Sequence, residues 1–157
     1  MNLEIHKHKQ HIDYLFTLTS KISDIEVQSN WAKYLCVLAS GLIEESIRTL
    51  IMDFTKKNSH IKIRQFVESN TQGITNCKTN RILEILRKFD QKWADDFLNE
   101  IQVKGRMNDE IRDSIDSVID NRHKIAHGKN VGLRISTINN YYQNIKKAID
   151  VLEKIIK

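Results

Sequence analysis

The sequence predicts an all-α fold, an antiparallel helical bundle of about five to seven helices. The chain contains no proline and only 5 glycines in 157 residues, so few positions punctuate it and helices can run long. Apolar residues also recur at three- and four-residue spacing over long stretches, the signature of helices with one buried face. An all-β fold, which needs many turns, is disfavoured by the same scarcity of turn residues.

The first helix is expected over about Ile5 to Ile22, with Ile12, Leu15, Phe16 and Ile22 facing inward. The second and longest runs from about Gln28 to Lys57. Its stripe is Trp31, Leu35, Leu38, Leu42, Ile43, Ile47, Leu50, Ile51 and Phe54. Gly41 interrupts it at a cost of about 1 kcal/mol relative to alanine, which suggests close approach of a neighbouring helix. Shorter helices follow over about Ile61 to Asn70, Thr79 to Phe89 and Gln91 to Gln102. The polar segment Ser69 to Thr79 reads as a loop, and Lys104-Gly105 as a further break. A strong helix starts at Asn108 or Asp109 with an acidic first turn that suits the helix dipole, and ends at about Ala126, where Gly128 supplies a left-handed stop. After a linker from Lys129 to Ile135, Ser136 or Thr137 is placed to cap a final helix. Its inward set is Ile138, Tyr141, Tyr142, Ile145, Ile149, Leu152 and Ile156. The elements compose a single domain over residues 1–157, with a core of about 28–157 and an extra N-terminal helix of about 5–22.

Apolar residues at 40% and charged residues at 29% are those of a chain that folds, not a disordered one. A net charge of +5 and a pI near 9.2 favour polyanionic partners, modestly. No apolar run approaches the roughly 20 residues of a membrane span. The polar, His/Lys-rich start does not resemble a secretory signal. Two cysteines, Cys36 on an apolar face and Cys77 in a polar loop, make no metal or disulfide framework. These features together are those expected of a soluble cytoplasmic protein with no membrane partner.

The helix that ends at Asn121-Arg122-His123-Lys124-Ile125-Ala126-His127-Gly128 carries the chemistry. Ile111, Ile115, Val118, Ile119, Ile125 and Ala126 form its core stripe, and Arg122 falls in the same stripe. A guanidinium there is costly unless it is paired or opens onto a cleft. Asp109, Asp113, Asp116, Asp120, His123 and His127 form a second, polar ridge. Arg122 and His127 are about 140° apart on a straight helix, so they address one atom only at a helix end or between two copies of the chain. The helix C-terminus favours a protonated His127 and Arg122 opposes that, which suits the imidazole to acid/base work near neutral pH.

The string Arg122, polar His123, and His127 in the ending Ile125-Ala126-His127-Gly128 resembles the signature of the HEPN superfamily. The segment Leu42-Ile43-Glu44-Glu45-Ser46-Ile47-Arg48 is similar to the first core helix of its RiboL-PSP-type and related prokaryotic branches, and the resemblance spans about Trp31 to the C-terminus. It implies a metal-independent endoribonuclease, a toxin or antiviral defence effector, that needs no metal and no cofactor. RNA is the implied partner, with an antitoxin or defence-system protein as a second. The implied active cleft is composite and forms in a homodimer. In that scheme Arg122 and His127 are catalytic, His123 and Asn121 bind or orient the phosphate, and Glu45 or Arg48 lines the cleft.

Two rival readings stand beside this one. A non-catalytic HEPN module would bind RNA, a nucleotide or a protein through bases such as Lys56, Lys57, Lys62, Arg64, Arg81, Arg87 and Lys88. A metal-binding protein would use His123 and His127 with Asp116 and Asp120, or His6, His8 and His11, though the glutamate of the zinc-protease helix is missing. A frayed, solvated N-terminus is the favoured account of the last three histidines.

Overall fold

The computed structural model describes residues 1–102 and 109–157. Its seven helices among these residues are α1 (Leu3–Thr19), α2 (Ile25–Asn58), α3 (Ile61–Thr71), α4 (Thr79–Phe89), α5 (Gln91–Ile101), α6 (Glu110–Ala126) and α7 (Ile135–Ile155). No strand is present among the described residues, and the all-α bundle expected from the sequence is the fold observed. The expected break at Lys104-Gly105 and the alternative helix start at Asn108 lie outside the described residues. No helix of the described residues is long and apolar enough to cross a membrane.

Helix α2 is the axis of the bundle, packed by α1, α3, α6 and α7. Its side chains Leu35, Leu42, Ile43 and Ile47 are fully buried, as the apolar stripe requires, and each contributes about 2 kcal/mol by leaving water. Lys9 pairs with Asp150 at 2.6 Å and Asp13 with Lys146 at 2.9 Å, so α1 runs antiparallel to α7. Between these two helices the buried Tyr142 donates its hydroxyl to the Lys9 carbonyl at 2.9 Å, and Phe16 stacks on its ring at 5.2 Å. Ile5, Ile12 and Leu15 carry α1 into the same hydrophobic core as the other helices.

Several local expectations are corrected. Helix α1 begins at Leu3, capped by Asn2 through the N–H groups of Glu4 and Ile5, and stops at Thr19, which leaves Ile22 half-buried in a connecting turn. His6, His8 and His11 therefore sit on an ordered helix and not on a frayed end. Helix α2 starts a turn earlier than expected because the Asp24 carboxylate accepts the Val27 N–H. Neither Ser136 nor Thr137 caps α7; both lie inside it, behind Arg134. A Cβ at Gly41 would meet nothing within 4 Å, so no helix approaches closely there. Cys77, expected in a polar loop, is fully buried, and Ala126, expected on the core stripe, is exposed.

Candidate functional site

The site is built where α6 ends against the loop joining α3 to α4. Gly128 adopts φ 67°, its N–H bonds to the Ile125 carbonyl at 3.0 Å, and the Lys129 N–H bonds to the Lys124 carbonyl at 2.9 Å. This is a Schellman closure, and it leaves His127 as the C-cap at φ −93°, ψ 16°. The sequence expectation of a left-handed glycine is met. His127 is not frayed, however: its own N–H bonds to the His123 carbonyl at 3.2 Å.

One helical turn apart on the polar ridge, the His123 and His127 rings meet edge to face with centroids 4.4 Å apart. Both side chains are exposed, available to a ligand at the surface. Arg122 is half-buried and points the other way, donating from Nη1 to the Asn76 Oδ1 at 3.4 Å. Asn76 itself sits at φ 53°, a left-handed position that asparagine tolerates, and its N–H donates to the Glu44 carboxylate at 2.8 Å. Glu44 on α2, Asn76 in the loop and Arg122 on α6 thus form one polar relay. That relay accommodates the arginine on the core-facing stripe.

The same loop is fastened along α6 at two further points. Lys78 pairs with Asp120 at 2.6 Å, a contact that holds the lysine above its ordinary pKa through the hydrogen bond to that carboxylate. The Thr79 N–H, at the start of α4, donates to the Asp116 carboxylate at 2.7 Å. Both aspartates that would have extended a His123–His127 metal site are thereby engaged elsewhere. Among the described residues no three His, Cys, Asp or Glu side chains gather as a metal-binding group.

Of the residues singled out from sequence, Arg122, His123 and His127 share the helix end, but within one chain Arg122 and His127 diverge. Asn121 turns its amide back on its own helix, donating to the Ser117 carbonyl at 2.9 Å. Glu45 and Arg48 pair with each other at 2.8 Å. Glu45 also faces His8 of α1 closely enough to act on its charge. The α2 residue that reaches the Arg122 relay is Glu44, together with Asn76, and neither had been singled out for this role. No sequence signal marked Glu44 over its neighbour Glu45, because the face of α2 that meets α6 emerges only from tertiary contacts such as that of the Cys36 thiol with the Val118 carbonyl at 3.5 Å. Nothing in the sequence marked Asn76, whose role comes from the loop's tertiary path.

An all-α bundle whose arginine and histidine, five positions apart, close a helix against a polar loop defines a HEPN-type helical domain. More narrowly, the RiboL-PSP-HEPN family model matches residues 3–157, and the chain belongs to that family. The match takes in α1 as well as the stretch from Trp31 onward. Comparison with curated proteins and with solved structures returned no match. Membership points to a nuclease or RNA-binding role and to RNA as the interacting molecule.

Proposed function

We propose that this chain is a metal-independent endoribonuclease whose active cleft forms between two copies, acting as a toxin or defence effector in the cytoplasm. The observation that carries the reading is the Arg122–His127 pair at the Schellman-closed end of α6, with the imidazoles of His123 and His127 exposed. The divergence of Arg122 and His127 within one chain is the reason for the second copy: two α6 ends facing each other set a guanidinium from one against an imidazole from the other. Apolar side chains left exposed on α2, among them Ile25, Tyr34 and Val37, provide a surface for that association.

In the proposed reaction the ribose 2′-oxygen attacks the adjacent phosphorus, forming the P–O2′ bond as the P–O5′ bond breaks. His127 carries one of the two proton transfers, removing the 2′-hydroxyl proton or delivering one to the departing 5′-oxygen, and solvent water carries the other. Arg122 neutralises the charge that grows on the phosphorane-like oxygens, and His123 orients the phosphate. Glu45 and Arg48 then act at a distance, as a pair that stiffens α2 beside the loop. The products are a 2′,3′-cyclic phosphate and a 5′-hydroxyl. A companion antitoxin would act by covering this cleft.

The test is RNA cleavage by purified protein in EDTA, beside Arg122→Ala and His127→Ala variants. Loss of EDTA-resistant cleavage in both variants supports the site, and its retention in both refutes it. Activity that disappears with EDTA favours the metal reading, while tight RNA binding without cleavage favours a binding module. Light scattering checks the composite cleft: a monomer at micromolar concentration contradicts it.

A further inference from the structure

Helix α3 is the least covered element of the bundle. Thr71 is its single buried residue, and Ile61, Ile63 and Phe66 are 53%, 54% and 67% exposed. It packs mainly on α2 and stands off from α4, leaving a groove of about 320 Å³ between the two. Phe66 and Val67 form one wall, Ile85 and Phe89 the other, and Arg81 and Lys88 stand on the rim. Exposed apolar side chains gathered along one groove, with Ile63 continuing the row one turn before Phe66 and Val67, are costly to leave against water unless something covers them.

We propose that this groove receives an acidic amphipathic helix of a partner protein, its apolar face seated between α3 and α4 and its carboxylates on the basic rim. The charge of the groove selects the partner. Its lining carries Arg81 and Lys88 and no acidic side chain, and Lys62 lies on α3 one turn before Phe66. Glu84 is taken up by Arg81 at 3.0 Å, whereas Lys62, Arg87 and Lys88 make no ion pair among the described residues. An acidic helix that presents apolar residues at three- and four-residue spacing matches both features of the groove. Single-stranded RNA matches less of it: phosphates suit the rim and bases could stack on Phe66, but the aliphatic Val67, Ile74 and Ile85 offer RNA nothing to pair with. The proposal stands apart from the α6 site and does not depend on catalysis there.

The probe is a fluorescein-labelled synthetic helix with leucines at i, i+3, i+4 and i+7 and glutamates on its other face. It is compared by fluorescence anisotropy with a scrambled peptide of equal composition, a lysine-for-glutamate version and a labelled oligouridylate. The acidic amphipathic peptide is expected to bind with Kd on the order of 10 μM, and the scrambled and lysine peptides about tenfold more weakly or not at all. Phe66→Ser and Lys88→Glu should each weaken that binding about tenfold, the thermal transition staying in place because both side chains are exposed. Absence of peptide binding overturns the proposal, as does binding indifferent to both substitutions. Oligouridylate binding that Phe66→Ser abolishes, with the peptide bound no better than its scrambled form, assigns the groove to RNA instead. Cleavage activity is expected to survive Phe66→Ser, which separates failure here from failure of the nuclease reading.

Discussion

The carboxylate of Asp116, on α6, accepts the backbone N–H of Thr79, the first residue of α4, at 2.7 Å. Helix α4 has no capping side chain of its own, since Lys78 occupies its N-cap. Its positive end is therefore satisfied by another helix, and the carboxylate charge also complements the α4 dipole.

Asp116→Ala removes that acceptor and should cost about 1 kcal/mol, the usual loss for a deleted helix cap. Asp116→Asn keeps an oxygen in place but not the charge, and should cost less. Urea denaturation of the three proteins measures the difference, and equal stability of wild type and Asp116→Ala contradicts the capping role. Because the same loop holds Asn76 against Arg122, Asp116→Ala should also lower any activity that depends on Arg122.

How much of this was legible in the sequence depended on whether the cause was local. The α2 stripe, the left-handed Gly128 and the acidic start of α6 follow from rules spanning a few residues, and all appear in the structure. The start of α2 was readable at Asp24 but masked, because Ile25 and Val27 are exposed and the periodic pattern sets in only at Trp31. The α4 cap could not be read at all, since Thr79 and Asp116 are 37 positions apart. Burial of Cys77 was hidden for the same reason: polar neighbours on both sides mark a loop, and only the fold tucks that loop beneath Glu44 and Arg81. At the site, Arg122 and His127 were visible as a motif, whereas Glu44 and Asn76 needed three elements brought together.

Two glycines should respond oppositely to alanine. Gly128→Ala forces a side chain into φ 67°, which costs about 1 kcal/mol even though a Cβ there meets nothing within 4 Å. Asparagine at this position should recover part of the loss. Gly41→Ala, inside α2 and equally free of neighbours, should stabilise by up to about 1 kcal/mol through helix propensity. Thermal denaturation followed by circular dichroism reports both signs, and stabilisation by Gly128→Ala would contradict the Schellman closure.

Burial pushes the thiols of Cys36 and Cys77 from an ordinary 9.0 up to about 12. Burial, aided by Asp13, likewise raises the Tyr142 hydroxyl. A raised folded-state value means stability that is fully present below pH 9 and lost as pH climbs toward 12, because the unfolded chain ionises first. Native protein at pH 8 should therefore resist a disulfide reagent that titrates both thiols once denaturant is added. Cys36→Ala with Cys77→Ala should flatten the alkaline loss of stability, at the expense of some packing. Rapid modification of both thiols in the native protein would refute their burial.

On the acid side the group to watch is His8. Desolvation lowers its pKa below the ordinary 6.5, opposed in part by Glu45 and Glu4 and reinforced by the nearby His11. For a lowered folded-state value the sign reverses: the group leaves stability intact above pH 6.5, and stability falls as the pH drops and the unfolded chain takes up a proton that the folded one resists. His8→Gln deletes that proton, so the variant should lose less stability than wild type between pH 7.5 and pH 5. The Glu45–Arg48 pair alongside adds a second check, because Glu45→Gln withdraws the charge that favours protonated His8 and should steepen the acid loss. Guanidinium denaturation at several pH values gives each slope directly. Parallel slopes for wild type and His8→Gln would mean that α1 does not hold His8 against α2.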